Sequence, residues 1–284
     1  VSVADGLAAD FVEAAADPDV PAADLGVLAQ ALDAELAAHP ERAQDVLPTL
    51  GPVLAQAEGP PLFIAAVLVG GLVERGAPPG AAAPLVPRLQ GWLHEVAAAG
   101  SGAVGAFQAL DETWRAAVAV LGAWPEARLA LQADLPAALA AARAHPGAGW
   151  LVRLLSAPHR RPLEVEAGGA RWAGSVTGVA DVAQLAVLVN AALGAPVPAT
   201  ALACAQGVGP QVLQEAVTLP WGLAVPGEGP APEHASLPEL FGLDEPVRFV
   251  AVPRAAPTPQ PVGRAFATLR AELALTRLGH PDLG

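Results

Sequence analysis

The stretch RPLEVEAGGARWAGSVTG, residues 161–178, alternates apolar and polar side chains on either side of a Gly-Gly pair. Period-2 alternation around two glycines predicts a β-hairpin with Gly168-Gly169 as its turn. In that register Val165 faces Trp172 on the apolar side and Glu166 faces Arg171 on the other.

Upstream, the grammar is helical almost throughout. Ala- and Leu-rich segments near 2–16, 22–38, 41–57, 61–75, 82–99, 103–122 and 126–144 are separated by Pro or Gly. In AFQALDETWRAAVAVLG, Phe107, Leu110, Trp114, Val118 and Leu121 fall at helical spacing. HPERAQDVLPTLGPVL (39–54) and WPEARLALQADLPAALA (124–140) share a Pro-Glu entry and a later Leu-Pro. Such a repeat fits stacked HEAT-like hairpins, and it fits equally a bundle of compositionally similar helices.

Downstream, a helix is expected from about Val179 to Leu193, stopped by Gly194. PVRFVAVP (246–253) reads as a strand and VGRAFATLRAELALTRL (262–278) as a closing helix. The expectation is therefore a mainly α chain with a C-terminal α+β part. An all-helical domain, 1–157, built as a bundle or a HEAT-like array, precedes an α+β domain, 158–284, with its hairpin at about 161–177.

Composition removes several chemistries. The chain has 284 residues, 53% of them hydrophobic and 15% charged, which suits a folded core. Every one of its 15 basic residues is Arg, so phosphate-loop, Schiff-base and Ser–Lys mechanisms that need lysine are impossible. Residues 1–150 carry 17 acidic and 6 Arg side chains, against 11 and 9 in 151–284. The net charge of −13 argues against nucleic-acid partners and anionic membrane surfaces. One cysteine, Cys204 in ALACAQG, excludes an internal disulfide and a cysteine zinc cluster. The apolar run at 59–73 would span only about 22 Å as a helix, too short for a bilayer. VSVADGLAADF lacks the pattern of a secretory signal, so a cytoplasmic protein is expected.

Motifs fail on context. GSGAVG (100–105) matches GxGxxG, but a helical pattern precedes it where a dinucleotide fold needs a strand. HEVAA (94–98) has Ala98 where a zincin helix needs a second His. GSVTG (174–178) is not a nucleophile elbow, because Ser175 directly follows its first glycine. No metal and no cofactor are expected.

What stands out is a basic cluster, His159, Arg160 and Arg161, extended by Arg153 and Arg171. Guanidinium groups suit bidentate capture of carboxylate or phosphate, so a ligand site of His159, Arg160, Arg161 and Arg171 is one reading. Trp221, in LPWGLAVPG, would be a loop platform beside it, or fill the core. Ion pairs with nearby acids, Arg171 with Glu166 first, are the plainer account. Three functions follow: a non-catalytic interaction or scaffold protein that binds another protein or itself, a sensor of a small anionic ligand at the arginines, and an enzyme with a dispersed site.

Overall fold

The computed structural model describes residues 2–206, 216–254, 259–261 and 269–278. The chain divides into two compact units, Val1–Leu151 and Val152–Gly284.

The first unit is helical: α1 (Val3–Ala16), α2 (Ala22–Ala38), α3 (Ala43–Val46), α4 (Gly51–Gln56), α5 (Pro60–Glu74), α6 (Leu85–Ala99), α7 (Val104–Ala123), α8 (Pro125–Ala130) and α9 (Leu135–Ala142). The division between units falls within α10 (Pro146–Ser156). A capping box starts α1: the Asp5 N–H donates to Ser2 Oγ at 3.2 Å, and the Ser2 N–H donates to Asp5 Oδ2 at 2.8 Å. The single helix expected over 41–57 is instead a run of short turns, 3-10 at Pro40–Arg42 and Leu47–Leu50, around α3 and α4. Pro48 and Pro52 bring no N–H to the ladder, so the α pattern cannot run through them. The segment 126–144 is likewise split, with a 3-10 turn at Gln132–Asp134 ahead of Pro136.

Arginine, scarce in this unit, closes helices. Arg128 Nη1 donates to Leu121 O (2.9 Å) and Gly122 O (2.8 Å) at the end of α7, and Arg88 Nη1 reaches Ala57 O (2.7 Å) just past α4. Both cations thus sit where helix carbonyls lack partners.

The buried stripe of α7 is not the aromatic one that spacing suggests. Ala106, Ala109, Leu110, Thr113, Ala116, Ala117, Val120 and Leu121 are buried, whereas Phe107, Trp114 and Val118 are only half-buried. Small residues win because α5 crosses α7 closely. A Cβ on Gly70 would fall 2.6 Å from Ala116 Cα.

The second unit is α+β. Its elements are β1 (Arg161–Ala167), β2 (Ala170–Thr177), α11 (Val182–Ala192), α12 (Ala199–Ala205), β3 (Ala216–Thr218), β4 (Trp221–Val225), β5 (Gly229–Pro230), α13 (Leu237–Phe241), β6 (Val247–Pro253), β7 (Pro259–Pro261) and β8 (Glu272–Arg277). A six-stranded sheet runs β5-β4-β6-β1-β2-β8, parallel only between β1 and β6, and β3 pairs with β7 separately. The hairpin register pairs Val165 with Trp172 and Glu166 with Arg171. Gly168 (φ 55°) and Gly169 (φ 77°) both take the left-handed conformation that a two-residue type I′ turn demands. Leu163, Val165, Val176, Val247, Phe249 and Ala251 build the sheet's side of the core, and α11 covers it with Val182, Leu185 and Val189.

Two further expectations need correction. The closing helix over 262–278 is not formed at its C-terminal end: Glu272–Arg277 is strand β8, antiparallel to β2. Residues 262–268 lie outside the described residues. In ELALTR, half-buried Leu273 and Leu275 alternate with exposed Glu272, Ala274 and Thr276, a period of 2 that prevails over the helix propensity of Ala, Leu and Glu. Trp221, expected on a loop, begins strand β4.

Candidate functional site

The alternation of β1 decides what each basic residue can do. Arg161 is its first residue and points inward, 6% exposed, while His159 and Arg160 just before it are exposed. Arg160 Nε donates to Ser175 Oγ at 3.0 Å. The His159 backbone N–H donates to Ser156 O at 3.0 Å and closes the turn after α10.

Arg171 lies opposite Glu166 in the register, but its ion pair is diagonal. Its Nη2 donates to Glu164 Oε2 at 3.2 Å, and Arg248 Nε on β6 lies 3.6 Å from the same oxygen. Glu164 thus ties β2 and β6 across β1, on a solvent-facing surface where such pairs contribute little. Trp221 is half-buried, with its backbone held by Asn190.

Arg161 is the member in a distinct environment. Its Nη2 donates to Gly242 O (2.8 Å) and Glu245 O (2.7 Å). Burial lowers the pKa of the guanidinium, opposed by the charge of Asp244. Beside it is a recess of about 10 Å³ bounded also by Ser156, His159 and Thr177.

Arg153, only 4% exposed, has the charge of Asp181 acting on it. Burial raises the pKa of Asp181, opposed by the N–H of Gln184 donating to Oδ1 at 2.9 Å and by Arg153. Asp181 also caps α11. The sequence signal for it was an Asp just ahead of an apolar helix, a pattern common to every N-cap.

The excluded motifs have structural roles. GSGAVG spans a 3-10 turn, Gly100–Gly102, between α6 and α7, with no strand before it. His94 Nε2 lies 2.7 Å from Asp134 Oδ1, and Gln90 Nε2 donates to both oxygens of the same carboxylate. Among the described residues no three His, Cys, Asp or Glu side chains converge on a point that could hold a metal ion. Nor is any helix among them long and apolar enough to cross a membrane.

No family model, curated protein or solved structure matches the chain.

Proposed function

We propose that the protein is a non-catalytic interaction or scaffold protein that presents its helical unit to another protein chain. The observation that carries this reading is a stacked indole pair on that unit. Trp114 on α7 and Trp150 on α10 lie 6.2 Å apart at 15°, with the Arg115 guanidinium 5.1 Å from the Trp114 ring. Trp150 is 37% exposed. Its neighbour is rigidly placed, since a Cβ on Gly147 would meet Trp114 Cγ at 2.6 Å. Tryptophan and arginine are the residues that most often anchor protein interfaces, because a rigid ring buries much area at small entropic cost.

The second unit supports an added recognition or dimerisation role. Strand β8 ends the six-stranded sheet, with β2 as its only neighbour among the described residues. Such an edge can accept a further strand. A ligand shared by Arg160, Arg161 and Arg171 has less support, because Arg160 holds Ser175 and Arg171 holds Glu164.

Native mass spectrometry of the protein purified gently from its own host tests the interaction reading. A bound protein or a homo-oligomer is expected, and Trp150→Ala should weaken it by about 2 kcal/mol, roughly 30-fold. A monomer that retains only a small molecule would overturn the reading, and so would an assembly indifferent to Trp150→Ala.

A further inference from the structure

We propose that the helical unit carries a docking groove for a basic, amphipathic segment of another protein. The groove starts in a recess at the end of α1 and the starts of α2 and α5, and runs along the outer face of α5. It rests on the reading of this unit as a partner-binding module, but not on Trp114 or Trp150, which do not line the recess.

The sequence of α5 sets up the groove. From Pro60 to Val73 the helix carries no charged residue, a composition suited to a helix covered on every side. Its neighbours α2, α4 and α7 leave one side open. Val67 is 57% exposed, and Phe63 and Ile64 are only half-buried. Pro60 and these three residues stand at i, i+3, i+4 and i+7, on one face of the helix.

At its Pro60 end this face meets the recess, about 360 Å³, within the size range of ligand clefts. Val20, Leu25, Pro60 and Pro61 give it apolar walls, and the exposed Asp17 and Glu58 border it.

The charge at the recess selects the partner. Asp17 Oδ1 accepts the Asp19 N–H at 2.9 Å, which leaves Oδ2, and Glu58 has no ion pair among the described residues. The C-terminal end of α1 adds partial negative charge, with no basic residue in its last turn to offset it. Arg88 spends its guanidinium on the carbonyls of Leu54, Ala55 and Ala57, and Arg75, just past the far end of α5, is held by Asp33. No Arg or His lines the recess among the described residues. An apolar face with acids at one end fits a segment that has apolar side chains on one face and Lys or Arg beside them. A free amine would fill the recess and leave Val67 uncovered.

The test is a fluorescence-anisotropy titration of the full chain with a labelled amphipathic peptide of Leu and Lys. That peptide should bind, and its Leu–Glu counterpart should not. Asp17→Asn with Glu58→Gln should weaken binding roughly fivefold, and Val67→Gln about threefold. All three side chains are exposed, so these variants alter the surface rather than the core. Glu95→Gln with Glu112→Gln, which removes the same charge elsewhere on the unit, should bind as the wild type does, and so should Trp150→Ala. Equal weakening by the two double variants would mean attraction by net charge alone and overturns the proposal. So does an absent or charge-indifferent peptide interaction, or an undiminished affinity in Val67→Gln. Loss of binding in Trp150→Ala overturns it by moving the peptide to the indole pair. Displacement of the peptide by millimolar hexylamine overturns it in favour of a small-amine site.

Discussion

The side chain of Asn190 and the backbone of Trp221 exchange two hydrogen bonds. Nδ2 donates to Trp221 O at 3.0 Å, and the Trp221 N–H donates to Oδ1 at 3.1 Å. A third bond, from Nδ2 to Ala186 O at 2.7 Å, fixes the amide on its own helix. The fully buried Asn190 therefore acts toward β4 as a neighbouring strand would, docking α11 on the start of that strand.

Asn190→Ala should accordingly destabilise the second unit by about 2–3 kcal/mol, since it strips two backbone groups of their partners. Amide hydrogen exchange localises the effect. The Trp221 N–H should lose protection more than the amides of β1, and equal loss throughout the sheet would show that the clamp is not local.

The crossing of α5 and α7 gives a paired test on adjacent glycines. A Cβ on Gly70 would lie 2.6 Å from backbone and 2.7 Å from the Cβ of Ala116, whereas one on Gly71 would meet only Arg75 Nη1 at 3.8 Å. Gly70→Ala should cost about 1–3 kcal/mol by forcing the helices apart. Gly71→Ala should be neutral or stabilising by up to about 1 kcal/mol, because alanine is the better helix former. Denaturant titrations of the two variants should separate in opposite directions; a common sign would refute the close crossing.

The hairpin was legible because two glycines and a period of 2 leave a single register. Its neighbour β8 was not, because ELALTR has helix-forming residues and only its place beside β2 makes the alternation decisive. The inward turn of Arg161 was implicit in that same alternation. What sequence could not supply was its partners, carbonyls more than eighty residues away. The stripe of α7 misled for a physical reason. Large aromatics draw the eye at helical spacing, but close helix packing at Gly70 selects alanines and turns Phe107 and Trp114 to the flank.

Asp134 anchors a polar group within the helical unit. It is 5% exposed, accepts from Gln90 with both oxygens and lies 2.7 Å from His94 Nε2. Asp134→Ala would remove a buried carboxylate and both of the bonds that Gln90, itself exposed, makes to it at the join of α6 and α9. A loss of about 1–3 kcal/mol in chemical denaturation is expected, while His94→Ala, at an imidazole 59% exposed, should cost under about 1 kcal/mol. Equal losses would mean that the imidazole rather than the amide is the structural partner.

Cys204 offers an uncommonly clean linkage experiment. Its thiol is buried in α12, 2% exposed, and burial raises its pKa above the ordinary thiol value. The folded chain therefore holds the proton more tightly than the unfolded one. The associated stability is fully present below the unfolded pKa, about 8.5, and is lost as pH rises through the higher folded value. The chain contains neither Lys nor Tyr, so no other side chain of ordinary pKa titrates between that point and the arginine range. The stability of the wild type, followed by urea titration, should hence fall as pH rises above about 8.5, and Cys204→Ala should flatten that slope whatever its cost at neutral pH. Iodoacetamide should label Cys204 slowly in the native protein at about pH 8 and rapidly in denaturant. A wild-type slope matched by Cys204→Ala would place the alkaline loss elsewhere, and rapid native labelling would show that the thiol is reached without unfolding.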